Sequence, residues 1–443
     1  MRSALAGRAV RSFEWTYVIA TIAAFVFTPE LRRLVDWHGN FDPLNAFAVI
    51  PLLMLCPIAA LAYRRRARLR GGAFVFATLT WTAGFAYAAF VAAAHGALLQ
   101  ALFAVGQFCL PLTVGVWLMT RDETMEVAHE RLARWLTIFG TIAGAYGIFQ
   151  YVVAPPWDTA WMQNIDAESF GVPTRFGIRV FGVLNGPGVF ALFLGAVILF
   201  GLPYLRMRNW LNMSSLVVMI VALLLSLVRS AWLAVFVGVA IFVVLSPKRL
   251  QAIASLGLVA VVCGAGVFCI LLASPDANLS ERITGRFTTL SDIAEDPSAV
   301  ERRATALRAF QQGMDEPAGA GLGLTGGSTK LGGSDAQFFS RGGGPIDNGF
   351  VSRFVEMGVP GFAAFVVACC ASVAALAYAY GRLRRARDGA GMRVAASCIA
   401  TQVVIFMVNL SGDDQQALLG VLFFAALALP LMRSPGLPVT GKR

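Results

Sequence analysis

Apolar and polar positions along this chain fall into blocks, without the short alternation of a soluble fold. Long apolar runs recur at approximately 14–29, 43–63, 72–94, 97–119, 134–154, 183–203, 210–227, 230–246, 250–273, 357–380, 393–411 and 415–432. A helix needs roughly 20 apolar residues to cross a hydrocarbon core of about 30 Å. Inside a bilayer each span must satisfy its own backbone groups, so helices are the default. The pattern therefore predicts about twelve transmembrane helices. The run 210–246 is too long for one span and divides at Arg229-Ser230. The two-residue alternation of a membrane barrel is absent.

Composition agrees with that pattern. The 443 residues are 57% hydrophobic and 14% charged, with a mean hydropathy of +0.68. A soluble domain has no interior large enough for so much apolar surface. The expected fold is an all-α polytopic integral membrane protein.

The net charge of +11 points first to nucleic acid or a membrane surface, but its distribution excludes nucleic acid. Most basic residues sit in short connections: Arg2, Arg8 and Arg11; Arg64 to Arg70; Arg121, Arg131 and Arg134; Arg206 and Arg208; Lys248 and Arg249; Arg382 to Arg393; and Arg433, Lys442 and Arg443. With the N-terminus inside, all of these fall on the cytoplasmic side, as the positive-inside rule requires. The first outer connection carries Arg32 and Arg33. Both termini are then cytoplasmic, and 155–182 and 274–356 lie outside. The layout is 1–273 with nine spans and the 155–182 loop, a large outer loop at 274–356, and 357–443 with three spans and a cytoplasmic tail. The first apolar run lacks a small-residue cleavage pattern and reads as a retained span.

Cysteine and histidine add little. Cys56, Cys109, Cys263, Cys269, Cys369, Cys370 and Cys398 all fall in apolar runs, which indicates neither a disulfide framework nor a zinc site. The three histidines lack ligand spacing.

The large loop has internal structure of its own. In 299–314, Val300, Ala304, Leu307 and Phe310 share one helical face, with Glu301, Arg302, Arg303 and Arg308 around them. This predicts an interfacial or lid helix, stopped by Gly313 and Pro317. The glycine-rich run from Gly319 to Gly344 follows. It lacks the residue order of a nucleotide P-loop and is expected to be an irregular loop.

The residues that stand out are charged groups on the outer side. Arg229 separates two apolar runs, where an arginine is costly unless paired or wet. Arg175 and Arg179 precede the span beginning near Val183. Guanidinium forks bind phosphate oxygens bidentately and stay charged, so a convergence of these arginines fits a diphosphate at the outer leaflet. Asn185-Gly186-Pro187-Gly188 and Asp347-Asn348-Gly349 are turn signatures, and beside an arginine clamp Asp347 is placed to take a proton from an attacking hydroxyl. Glu356 is the alternative base, or else an arginine's partner. Asp413 and Asp414 are read as solvated or sugar-contacting.

These pieces, in this order, resemble the O-antigen ligase and Wzy-type polymerase superfamily of bacterial envelope enzymes. The matching residues are Arg179-Val180-Phe181-Gly182 with Leu184-Asn185-Gly186-Pro187, then Arg229-Ser230-Ala231-Trp232. The later ones are Arg302 through Gly323, and Asp347-Asn348-Gly349-Phe350 leading to Glu356-Met357-Gly358-Val359-Pro360-Gly361. The resemblance implies a GT-C-like arrangement of spans in the bacterial inner membrane and an inverting, metal-independent glycosyl transfer on the periplasmic face, with no cofactor. The donor is a glycan on undecaprenyl pyrophosphate, and a second glycan or another molecule is the acceptor. Family arginines matching Arg179 and Arg229, with Arg175 nearby, hold the leaving diphosphate. Asn185, Asn348, Arg302 and Arg303 fall to substrate binding. Ligases of the lipid A-core type carry histidine where this chain has Asp347, which favours a polymerase of exopolysaccharide, capsule or O-antigen repeats over a ligase. A polymerase of this kind works beside a flippase and a chain-length regulator. A transporter of lipid-linked glycan is the reading from another class. It calls for charges near mid-membrane and a repeat between halves, and the basic residues here cluster at span ends.

Overall fold

A computed structural model describes residues 2–39, 46–69, 72–164, 170–204, 210–249, 297–324, 348–408 and 416–432, with Ile253 and Gly257. Among the described residues there is no strand, only an isolated antiparallel bridge between Gly171 and Ile178. The helices are α1 (Arg2–Asp36), α2 (Ala46–Leu53), α3 (Leu55–Arg64), α4 (Gly72–Ala94), α5 (Leu98–Cys109), α6 (Leu112–Met119), α7 (Met125–Val153) and α8 (Pro156–Asn164). They continue with α9 (Pro187–Gly201), α10 (Trp210–Leu225), α11 (Arg229–Leu245), α12 (Pro297–Asp315), α13 (Gly349–Arg385), α14 (Gly389–Val408) and α15 (Gln416–Ala428).

Among the described residues, six helical stretches are long and apolar enough to cross a membrane: Gly72–Ala94, Leu98–Met119, Met125–Val153, Pro187–Tyr204, Gly349–Arg385 and Gly389–Met407. Four shorter apolar helices, Val49–Arg64, Leu211–Leu225, Arg229–Leu245 and Ala417–Leu431, lie at four more of the expected spans. The expected first span falls inside α1, whose 35 residues reach about 50 Å at 1.5 Å per residue. The expected span 250–273 lies outside the described residues, Ile253 and Gly257 excepted. Prolines explain two interruptions. Pro57 and Pro111 have no N–H to give the preceding turn, and the helices break just before them, at Met54 and at Leu110.

The centre of the bundle is α9. Pro187 to Phe200 is buried on all sides apart from Gly188, as an apolar-all-round helix must be. It packs against α7, α10, α11 and α14. Close approach elsewhere depends on small residues. A Cβ at Gly84 of α4, for instance, would lie 2.8 Å from the Gly361 carbonyl oxygen of α13.

The two ends of the bundle differ. At one, Glu14 bridges Arg65 and Arg121, Glu123 takes Arg121, Arg131 and the Trp15 indole, and Arg393 donates to the Pro203 carbonyl. At the other gather the end of α1, α8, the 170–186 connection, the α10–α11 turn and the described parts of 297–356. Of the segments expected to be cytoplasmic, the described residues Arg65, Arg121, Arg131 and Arg393 lie at the first end.

Helix α12 forms where the amphipathic segment was expected, and it packs on α13 along one edge of the apolar stripe. Ala309 and Gly313 are buried and Phe310 stacks on Phe354 of α13 with ring centroids 5.1 Å apart. Val300, Ala304 and Leu307 of the expected apolar face are exposed. Short residues let α12 approach α13 closely, so packing followed side-chain size more than the apolar stripe.

Candidate functional site

Arg179 lies along the tight turn that precedes Arg229. The Arg179 N–H donates to the Phe170 carbonyl at 2.7 Å, closing the loop that begins there, and the Val180 N–H donates to the Leu225 carbonyl at 3.2 Å. The loop is thereby docked on the C-terminal end of α10. The Arg179 side chain continues along the same turn, with Nε 3.4 Å from the Ser226 carbonyl oxygen and Nη2 3.4 Å from that of Leu227. Two residues later Arg229 opens α11. Both arginines are half-buried, Arg175 is exposed on the loop, and Asn185 is half-buried two residues before Pro187, the first residue of α9.

The backbone here is strained. Leu227 has a φ of 55°, a left-handed conformation that costs an L-residue roughly 1–2 kcal/mol. Ser226 Oγ donates to the Leu223 carbonyl at 2.6 Å, and Trp232 Nε1 donates to the same oxygen at 3.0 Å. These bonds hold the turn closed. Of the four non-glycine residues with positive φ among the described residues, three lie in this region: Ala154, Phe176 and Leu227. Phe176 is tied to α7 through its N–H and the Tyr151 carbonyl, at 2.9 Å. Strain that persists this way is maintained by its surroundings and is commonest at working sites.

A buried polar lattice lies behind the 181–184 segment. Arg33, 1% exposed, places Nε 2.8 Å from Asp158 Oδ1 and donates to Glu30. Its Nη1 and Nη2 donate to the carbonyls of Leu184 and Gly182, each at 2.7 Å. Gln150 of α7 accepts from the N–H groups of Phe181 (3.1 Å) and Gly182 (3.0 Å) and donates to Asp158 at 2.7 Å. The Tyr146 hydroxyl lies between Glu30 and Asp158, within hydrogen-bond distance of both, and Trp157 donates to Glu30. Burial pushes the Asp158 carboxyl up to about 6 and Glu30 adds to it, while Arg33 pulls the other way. Sequence reasoning passed over this lattice and took Arg33 as one of the few outer basic residues. The signals were there: Glu30 three residues before Arg33 at the close of an apolar run, Gln150 inside another, and Asp158 between two tryptophans.

The late motif is built around a break in α13. Gly358 has φ 59° and ψ −170° inside the helix. The Val359 N–H, which would bond Val355, goes to the Pro317 carbonyl at 2.9 Å, and Pro360 has no N–H for Glu356. The carbonyls of Val355 and Glu356 are left over and must find donors. They accept from Ala320 (2.9 Å) and Gly321 (3.0 Å) in the strap 317–324. The strap also bonds α4, with the Leu322 N–H donating to Ala88 at 2.9 Å. It passes so close that a Cβ at Gly321 would lie 2.6 Å from the Ala92 Cα.

Glu356 is completely buried. Its Oε2 is 2.5 Å from Arg353 Nη1, and its Oε1 accepts from the Gly323 N–H at 3.1 Å. Of the two roles expected for it, the structure displays the pairing with an arginine. Asn348 caps α13, its Oδ1 accepting from Phe350 and Val351 at 3.0 and 3.3 Å. Asp347 lies outside the described residues, as do Asp413 and Asp414. Arg302 and Arg303 are on α12, with Arg303 exposed. Among the described residues no group of three His, Cys, Asp or Glu stands together as a metal site would.

Residues 214–366 match the family model described as O-Antigen ligase. The motif resemblance to the O-antigen ligase and Wzy-type superfamily is supported by this match. It spans α10 to the first turns of α13 and covers Arg229, Arg302, Arg303, Asn348 and Glu356. Arg175, Arg179 and Asn185 lie before it. No curated protein matches the chain. The apolar helices describe a multi-pass membrane protein, and its residues 214–366 are similar to the O-antigen ligase family.

Proposed function

We propose that this chain is a glycosyltransferase of the bacterial inner membrane that polymerises glycan repeats carried on undecaprenyl pyrophosphate. Its termini are cytoplasmic and its site is periplasmic. The observation that carries the reading is the Arg179 guanidinium docked on the turn from which Arg229 emerges. Two forks from separate elements there fit the oxygens of one diphosphate. The N-termini of α9 and α11 open at the same end and add partial positive charge.

In the reaction the acceptor hydroxyl attacks the anomeric carbon from the face opposite the diphosphate. The new C–O bond forms as the old one breaks, and its electron pair leaves on the diphosphate oxygen. Arg179 and Arg229 bind the charge that develops there, with Arg175 at the rim. Asp347 accepts the hydroxyl proton. Inversion at the anomeric carbon follows from the opposed faces. Asn185, Asn348, Arg302 and Arg303 line the approach of the saccharides. A flippase delivers the donor and a chain-length regulator limits the product.

Transfer to lipid A-core or another acceptor is the second reading, and Asp347 in place of a ligase-type histidine favours polymerisation. The test is turnover by purified protein in detergent, with a lipid-linked repeat, a chelator and no energy source. Longer glycan and released undecaprenyl pyrophosphate are expected. Arg179→Ala and Arg229→Ala should each lower the rate about 10²–10³-fold, the cost of removing one preorganised charge-stabilising group, with unchanged membrane levels. Full turnover in either variant, or none in the parent protein, overturns the proposal.

A further inference from the structure

We propose that Arg33 is a positioning residue for the donor clamp, setting the register of the 179–185 segment while touching no substrate. The proposal rests on the reading of Arg179 and Asn185 as donor-binding.

Arg33 is closed off from any ligand by burial. It is 1% exposed, and its donors go to Glu30 and Asp158 and to the carbonyls of Gly182 and Leu184. Its guanidinium carbon is 4.9 Å from the Phe181 ring centroid and 5.2 Å from that of Trp161. Gln150 holds the other polarity of the same stretch through the Phe181 and Gly182 N–H groups. Four backbone groups between Phe181 and Leu184 are thereby fixed to α1 and α7. Arg179 lies two residues before this stretch and Asn185 directly after it. Joining α1 to α7 does not require a buried charge, since apolar contacts do so without desolvating an ion. Two neighbouring carbonyls facing the same way do call for a planar fork. The arrangement therefore fixes a loop's register, and the loop is the one that carries the clamp.

Lysine at this position keeps the charge for Glu30 and Asp158 but loses the fork. Arg33→Lys should keep its thermal stability and bind undecaprenyl pyrophosphate about tenfold or more weakly, with the acceptor KM unchanged. A small misplacement at a reacting centre is worth on the order of 10²-fold in rate, so kcat should fall as well. In a double-mutant cycle, Arg33→Lys with Arg179→Ala should be no worse than Arg179→Ala alone. If Arg33→Lys binds the diphosphate lipid like the parent, or if its loss adds in full to that of Arg179→Ala, Arg33 is only structural and the inference falls. If Arg33→Lys does not accumulate in membranes, Gln150→Met, which removes no charge, carries the same expected and overturning results. Failure of the parent protein to bind the diphosphate lipid overturns the clamp reading and this inference together. Failure in Arg33 alone leaves parent binding intact.

Discussion

Replacing Glu356 by glutamine separates a strut from a catalytic base. The glutamine keeps an acceptor for the Gly323 N–H, which now bonds Oε1 at 3.1 Å. What it removes is the negative charge 2.5 Å from Arg353 Nη1. Arg353 is 5% exposed, so its charge would stay buried without a counter-ion, and breaking such a pair from one side costs about 3–5 kcal/mol. The remaining contacts of Arg353, a bond to Ser352 Oγ at 3.2 Å and the Phe108 ring 4.3 Å away, do not neutralise it. Because the Gly323 bond survives, the lower end of that range, about 3 kcal/mol, is expected. The companion variant Arg353→Met/Glu356→Gln buries no charge and should recover most of the loss, as neutral replacements of buried pairs generally do. The assay is the thermal midpoint of detergent-solubilised protein for the parent, both single variants and the double, beside turnover of lipid-linked glycan. Coupling of about 2 kcal/mol or more and a double variant that regains turnover with its stability are the expected results. A Glu356→Gln protein as stable as the parent but inactive, whose activity the double variant does not restore, would refute the reasoning and make Glu356 part of the chemistry.

Two further outcomes are expected. Asp158 shares one guanidinium with Glu30, and burial with that neighbour pushes it from 3.8 up to about 6. A carboxyl whose folded value is raised stabilises the fold below its unfolded value and loses that contribution as pH rises to about 6. Asp158→Asn should therefore be no less stable than the parent at pH 7.5 and should flatten the pH dependence of the thermal midpoint between 4 and 6. A large loss at pH 7.5 would contradict it. Asp347→Asn should cut turnover about 10²-fold or more, the usual worth of a general base, while diphosphate-lipid binding stays within about twofold; unchanged turnover would reduce Asp347 to a turn residue.

What the sequence made legible was what bilayer physics dictates. Apolar runs located the helices because a span must be apolar and must bond itself. Arg179 and Arg229 could be singled out as rare charges beside spans, although nothing in one dimension revealed that Arg179 would lie along the turn at Ser226 and Leu227. Glu356 was legible as a carboxylate and its partner was not, because Arg353 reads as an ordinary helix residue until the break at Gly358 and the strap 317–324 enclose it. The Arg33 lattice escaped because its members come from three separated segments, each explained locally as topology, turn or core. Helix α12 was legible from its apolar periodicity, while its packing on α13 through Ala309, Phe310 and Gly313 was not.

The most direct test of the arginine clamp is the affinity of purified protein for undecaprenyl pyrophosphate against undecaprenyl monophosphate, in the parent, Arg179→Ala and Arg229→Ala. A hydrogen bond to a charged group is worth about 1.5–3 kcal/mol, so each arginine should contribute roughly 10- to 150-fold to diphosphate binding. The account predicts a parent that prefers the diphosphate and variants that lose most of that preference. Equal affinity for the two lipids in the parent, or a preference untouched in both variants, would contradict it.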